Sequence, residues 1–268
     1  MTQSDIALLR LSNQNIAHSK LTKPVDVVKS LLAVQAQDFL GSLWAIGLRT
    51  KGLTESDVEQ AVNKKEIVRT WPMRGTIHFV SAEDAKWMLD LLAPRIIRRM
   101  DYYYKRADLN DKIFEQTKQI LVKHLSKGQE LTRPEIYSIF EKERISTKNM
   151  RGLHIMGLQS LTGLVCFGNR KGKQPTFALL EDCIPKTKPK SRDESLAEVT
   201  FRYFTGHGPA QIIDLMWWSG LNKSEVLEGL SMVKSKLHSE KIDVKEYWMN
   251  LSQQPPKPDS NLYMLATY

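Results

Sequence analysis

At 268 residues the chain is too long for one small motif, and at roughly 100–200 residues per domain it has room for two or three compact units. Its 41% apolar content and six tryptophans exclude a disordered chain, which would lack the aromatic groups that repay ordering entropy. A formal net charge of +9, from 39 Lys and Arg against 30 Asp and Glu, points to a polyanionic partner, nucleic acid ahead of a membrane surface. No segment reaches the roughly 18 apolar residues of a membrane span, and residues 1–10 lack a basic region followed by an apolar run. A cytoplasmic, nucleoid-associated location is therefore expected. Cys166 and Cys183 have neither zinc-site spacing nor the numbers of a disulfide framework, so two reduced thiols are expected, with no metal and no cofactor.

In chain order, Ile6, Leu8, Leu9, Leu11 and Ile16 fall at mixed spacings of three and four, which predicts an amphipathic helix over residues 4–19. Pro24 opens a second helix carrying Val27, Val28, Leu31, Leu32 and Val34 at helical spacing; a proline in the first turn costs nothing because that donor is orphaned anyway. Thr54 is the expected cap of a short helix over 54–63, with Asp57 three residues on. Ile67–Met73 and Thr76–Ser81 are β-rich runs joined at Arg74-Gly75, where Gly can take the positive φ of a tight hairpin. A long helix follows over 82–107.

Helices followed by a hairpin are the order of a winged helix. The middle of the chain repeats it: helices at 111–125, 133–143 (capped by Thr132) and 151–162, a strand at 164–167, a basic tip at 168–173 and a strand at 176–180. Beyond a Lys/Pro-rich linker at 185–192, helices are expected at 194–205, 209–219 and 223–237, and residues 241–248 start a third hairpin. Pro255, Pro256 and Pro258 mark a loop before a strand at 262–267, whose abrupt end at Tyr268 suggests a C-terminal β portion cut short. The expected fold is mainly α with small β-hairpins (α+β), as tandem winged-helix units at 1–108, 109–184 and 185–268, the last including the start of that β portion.

Gln35-Ala36-Gln37 sits at the expected end of the Pro24 helix. Residues two apart on a helix face different ways, so both amides reach one site only if the helix ends or unwinds there. A glutamine offers donor and acceptor together, enough to hold a water or a base edge; surface glutamines on an ordinary helix end are the plainer reading. On the hairpin, Arg69, Trp71, Arg74 and His78 combine two cations, a stacking surface and a titratable donor, suited either to phosphates and bases or to a core tryptophan with solvated arginines. Arg95, Arg98, Arg99, Lys105 and Arg106 interleave with Tyr102, Tyr103 and Tyr104, a composition shared by nucleic-acid patches and solvated helix faces. Arg170, Lys171 and Lys173 are expected phosphate contacts, while Lys186, Lys188, Lys190 and Arg192 suit a solubilising linker. His207-Gly208-Pro209-Ala210 leads into a helix that leaves at Gly220; Trp217 and Trp218 face different sides, and His207 suits an orienting hydrogen bond better than catalysis. No Walker loop, HExxH, GxSxG or dinucleotide fingerprint is present.

Val34-Gln35-Ala36-Gln37-Asp38, Trp44-Ala45-Ile46-Gly47-Leu48-Arg49, the run from Arg69 to His78, and His207-Gly208-Pro209-Ala210 with Trp217-Trp218-Ser219-Gly220-Leu221 together resemble the AlkZ-like family of winged-helix DNA glycosylases. The resemblance implies three winged-helix units ahead of a C-terminal β-barrel-like portion, near whose start this sequence ends. It implies a monofunctional glycosylase, without metal or cofactor, that acts as a monomer on double-stranded DNA carrying N7-alkylpurine or crosslinked bases. Gln35 and Gln37 are then the catalytic pair, and Arg69, Trp71, Arg74, His78, Arg170, Lys171, Lys173 and His207 the DNA-binding set. The competing reading is a non-catalytic winged-helix DNA-binding regulator, an obligate symmetric dimer on paired half-sites.

Overall fold

The computed structural model describes residues 1–17, 19–251, 263 and 265; the expected proline loop and the strand at 262–267 fall outside the described residues, apart from Tyr263 and Leu265. The chain is mainly helical with small antiparallel sheets. It divides into two compact units that alternate along the sequence: Met1–Ala61 with Phe79–Ser81 and Pro189–Tyr268 (unit 1), and Val62–His78 with Ala82–Lys188 (unit 2).

Unit 2 holds β2 (Ile67–Met73), the first half of β3 (Thr76–Ser81), and α5 (Ala82–Arg106). It continues with α6 (Asp111–Leu125), β4 (Leu131–Thr132), α7 (Arg133–Lys142), α8 (Arg151–Leu161), β5 (Val165–Lys171) and β6 (Gln174–Leu179). At the first hairpin tip both Arg74 (φ 54) and Gly75 (φ 76) are left-handed, the turn whose twist matches its strands. The helix starts follow local chemistry: Asn110 accepts from the Ile113 amide at 3.1 Å, and Thr132 with Glu135 forms a reciprocal capping box. Phe140 and Phe177, both fully buried, centre a core with Leu121, Leu125, Ile136 and Ile155.

The strands lie in the order β3-β2-β5-β6-β4, with Arg69 opposite Phe167, and Phe167 and Leu131 each opposite Phe177. The basic tip expected at 168–173 is mostly strand. Gly168 leaves room for the Glu130 carboxylate, which accepts from the Asn169 amide at 2.8 Å and the Thr176 hydroxyl at 2.9 Å, and a bulge between Phe167 and Arg170 absorbs the irregularity. Because β2 and β5 run antiparallel, their two hairpin tips point to opposite ends of the sheet. Arg74 lies five residues beyond Arg69 and Gly172 five beyond Phe167, so at ~3.3 Å per residue the tips are roughly 30 Å apart.

Unit 1 contains α1 (Gln3–Asn13), α2 (Pro24–Leu31), β1 (Val34–Gln35), α3 (Phe39–Gly47) and most of α4 (Glu55–Asn63). Its later segment supplies α9 (Arg192–His207), α10 (Ile212–Ser219), α11 (Lys223–Val233), β7 (Leu237–Ile242) and β8 (Lys245–Asn250). The first helix stops well short of residue 19, since Asn15 is left-handed (φ 56); the helix expected to reach 237 ends at Val233, and a single tight turn leads into β7. α9 runs through the middle, and Arg202 Nη2 ties it to α2 by donating to the Lys29 carbonyl at 2.6 Å. At Gly206 an added Cβ would stand 2.2 Å from the Ser30 carbonyl oxygen, a backbone atom that cannot step aside. Gly206→Ala is expected to lower stability by about 3 kcal/mol, measured by urea unfolding with circular dichroism. An unchanged midpoint would mean that α9 and α2 do not approach this closely.

Candidate active site

The two glutamines do not sit on a helix end. α2 stops at Leu31, Leu32 takes φ 65, and the two-residue strand β1 (Val34–Gln35) is followed by a bend at Gln37 and Asp38 that leads into α3. In extended chain, side chains alternate in direction. Val34 (6%) and Ala36 (0% exposed) point into unit 1, leaving Gln35 half-buried and Gln37 exposed on the opposite side. β1 neighbours β3, whose residues Phe79–Ser81 belong to the same unit, and Phe79 meets Phe39 edge-on at 6.1 Å behind it.

The segment is anchored from below. His207 Nε2 donates to the Leu31 carbonyl at 3.0 Å, so the ring holds the C-terminal end of α2 where the chain turns into β1. Tyr203 stacks on His207 at 4.8 Å, and Trp218 lies against it at 5.5 Å. Burial, and behind it the Arg49 cation, lower the His207 pKa to about 4, so the imidazole is neutral at neutral pH. Arg49 is buried, donates Nη1 to the Ala45 carbonyl at 2.6 Å, and has no partner for Nε among the described residues. Desolvation lowers its pKa to about 10, which leaves it cationic at neutral pH. His207, expected among the DNA contacts, is half-buried and its Nε2 is engaged by the Leu31 carbonyl. Trp218 packs with it while Trp217 is 75% exposed, the division expected for adjacent helical residues.

α3 adds a feature that the sequence reading passed over. Leu40 (57% exposed) and Trp44 (45%) are one turn apart on the helix that begins just after Gln37, giving an open apolar face. The available signal was an apolar run from Phe39 to Ile46 with no polar stripe. Asp38 caps this helix by position without a side-chain bond to it, and its carboxylate folds over Gly41, where a Cβ would stand 2.6 Å from Oδ2.

The hairpin residues turn mostly inward. The Arg69 guanidinium is buried 4.4 Å above the Phe167 ring, and Trp71 stacks on Phe167 (4.7 Å) and Phe177 (6.5 Å). His78 is 2% exposed; its Nδ1 donates to the Thr76 carbonyl at 3.0 Å and its Nε2 has no partner among the described residues. Desolvation lowers its pKa to about 4. Expected as a surface grip, Arg69 and His78 are instead buried in unit 2 and Trp71 is half-buried against its core, because β5 flanks β2 and α5 packs against it. Arg74 alone of the four is exposed. In the second hairpin Arg170 is half-buried, Lys171 pairs with Glu135 at 3.5 Å, and Lys173 is exposed at the turn. Cys166 and Cys183 are both free and buried, side by side. Among the described residues no group of His, Cys, Asp and Glu side chains could hold a metal ion, and no helix is long and apolar enough to cross a membrane.

The family model for AlkZ-like DNA glycosylases matches residues 28–268. A Streptomyces sahachiroi protein named interstrand DNA cross-link repair glycosylase is 27% identical over 213 residues, 74% of this chain and 55% of its own length. The chain thus spans about half the length of that curated relative. The solved structure of the S. sahachiroi DNA glycosylase AlkZ superposes with a TM-score of 0.80 at 20% identity, over 94% of this chain and 70% of that one, a likeness of fold. With a family match across most of its length, the chain belongs to the AlkZ-like DNA glycosylase family.

Proposed function

We propose that the chain is a monomeric DNA glycosylase that hydrolyses the bond between deoxyribose and an alkylated or crosslinked base in double-stranded DNA, with Gln35 and Gln37 holding the attacking water. The observation that carries this reading is that Gln35 and Gln37 stay accessible on the short stretch between α2 and α3 while Val34 and Ala36 are buried, with a half-buried neutral His207 and the Arg49 cation nearby. A base alkylated at N7 is cationic and leaves readily, so catalysis needs chiefly a placed water and dipoles that stabilise an oxocarbenium-like sugar. The C1′–N bond breaks with its electron pair going to the base, which departs neutral; the water oxygen bonds to C1′ and its proton passes to solvent, leaving an abasic site. Carboxamides suit this reaction because they need no shifted pKa.

Arg74 at one tip and Arg170, Lys171 and Lys173 at the other are the proposed phosphate contacts of unit 2. The order α6, β4, α7, α8, β5, β6, with β4 pairing β6, supports a winged-helix unit over 109–184; the units proposed at 1–108 and 185–268 cross the division between the two compact units, which joins 62–78 and 82–108 to that middle segment. Incubating the purified chain with duplex DNA bearing N7-methylguanine or a nitrogen-mustard crosslink tests the proposal. Abasic sites are the expected product, and tight binding without any would reduce the chain to a DNA-binding protein.

A further inference from the structure

The C-terminal half of α5 and the start of α8 carry all but Val122 of the large exposed apolar side chains among the described residues of unit 2. These are Tyr102 (60%), Tyr103 (52%), Met150 (59%) and Leu153 (40%). Tyr103 stacks on His154 of α8 with ring centroids 6.5 Å apart and 29° between planes, and Tyr102 meets Tyr103 edge-on at 5.5 Å. Met150, left-handed (φ 68) and 59% exposed, precedes the first turn of α8, and its carbonyl accepts from the His154 amide. One turn further on, Gly157 has no atom within 4 Å of where a Cβ would stand, and the backbone of α8 is bare to close approach.

The platform is fixed in place. Arg151 Nε donates to the Ser146 carbonyl at 3.1 Å and its Nη1 to the Ala107 carbonyl, which fastens the first turn of α8 to the end of α5. Burial lowers the His154 pKa, which keeps that ring predominantly neutral and able to stack at neutral pH. Cations border the rings. Arg99, Tyr103 and Arg106 follow at spacings of four and three, so one stripe reads cation, ring, cation, and the Arg106 guanidinium lies 5.7 Å from the centre of the Tyr102 ring. Lys105 is matched by Asp101 at 2.6 Å, which leaves Arg98, Arg99 and Arg106 to set the sign of the face.

Exposed ring faces bordered by arginines are the composition that receives nucleobases already out of a duplex stack, since a paired base hides its π-face and a phosphate alone needs no ring. We propose that this face of unit 2 takes an unpaired DNA strand, with bases on Tyr103 and Met150 and phosphates on Arg99 and Arg106. The inference rests on DNA being the partner, as in the proposed function, and adds a contact that a stretch opened beside a crosslinked or bulky lesion would use.

Fluorescence anisotropy of a labelled oligothymidine tests it on the full chain, with the oligoadenosine–oligothymidine duplex as comparison. Tyr103→Ala is expected to weaken strand binding roughly tenfold or more, Tyr103→Phe to stay within about twofold, and Met150→Glu to weaken it as well. Arg99→Ala should reduce the slope of log affinity against log salt by about 0.7. Thermal melts of these exposed-site variants serve as the folding control, and Met150→Glu decides if Tyr103→Ala melts early. Strand binding that survives both Tyr103→Ala and Met150→Glu, or that falls equally with Tyr103→Phe, overturns the proposal. So does a wild-type chain that ignores oligothymidine but self-associates through this face. Oligothymidine binding with no excision of N7-methylguanine would sink the glycosylase reading alone; excision without it would sink this one alone.

Discussion

Replacing Gln37 by alanine is expected to lower the single-turnover rate of N7-methylguanine excision by about 10²-fold, the usual scale for removing one preorganised dipole from a reacting centre. Gln35→Ala should act in the same direction, and the double variant should cost less than the product of the two, because both amides would hold one water. Duplex affinity should stay within about twofold of wild type with its salt slope intact, since an uncharged amide releases no counterions. No group titrating near neutrality belongs to the pair, and His207 behind it has a pKa of about 4, so the excision rate should be nearly flat between about pH 6 and 9. Parallel excision and anisotropy measurements decide the matter. If each variant lost binding as much as excision, the glutamines would be ordinary contacts.

The second large effect concerns acid. His78 is neutral in the folded state with a pKa of about 4, against an ordinary value near 6.5. Between these values the unfolded chain takes up a proton that the folded one refuses, so this contribution is complete above pH ~6.5 and is lost as pH falls toward 4. At 1.36 kcal/mol per pKa unit the loss is about 2 kcal/mol by pH 5 and about 3 kcal/mol by pH 4. His207 works in the same direction in unit 1. Urea unfolding at pH 7.5 and pH 5 should register the fall, and His78→Leu should flatten it while costing about 1 kcal/mol at pH 7.5 for the lost Nδ1 bond to the Thr76 carbonyl, Nε2 having no partner to lose. An unaltered pH dependence in His78→Leu would show that the ring is protonated or reached by water in the folded protein.

Much of the fold was legible because its signals are local. Arg74-Gly75 between two alternating runs fixes a hairpin, Thr132 with Glu135 fixes a helix start, and Gly220 at φ 77 closes α10 as its residue type suggests. The Gln-x-Gln pair was legible as a motif while its backbone was not. A two-residue strand has no period to detect, and a leucine at φ 65 is not announced by its side chain. The inward turn of Arg69 and His78 depends on β5 and α5 enclosing β2, and β5 lies far along the chain, with Phe167 paired to Arg69. Leu40 and Trp44 were hidden in the opposite way, since an apolar run says nothing about which of its members stays wet.

The alternation of the two units along the chain bears on how the protein is made. Unit 2 is complete once Lys188 has left the ribosome, whereas unit 1 cannot close until the segment after it joins the first 61 residues. Those residues carry Val27, Val28 and Leu31, which end up fully covered. At about 5–20 residues per second the 127 residues from 62 to 188 take roughly 10 s to make, and through that interval the nascent N-terminal helices have no complete core to enter.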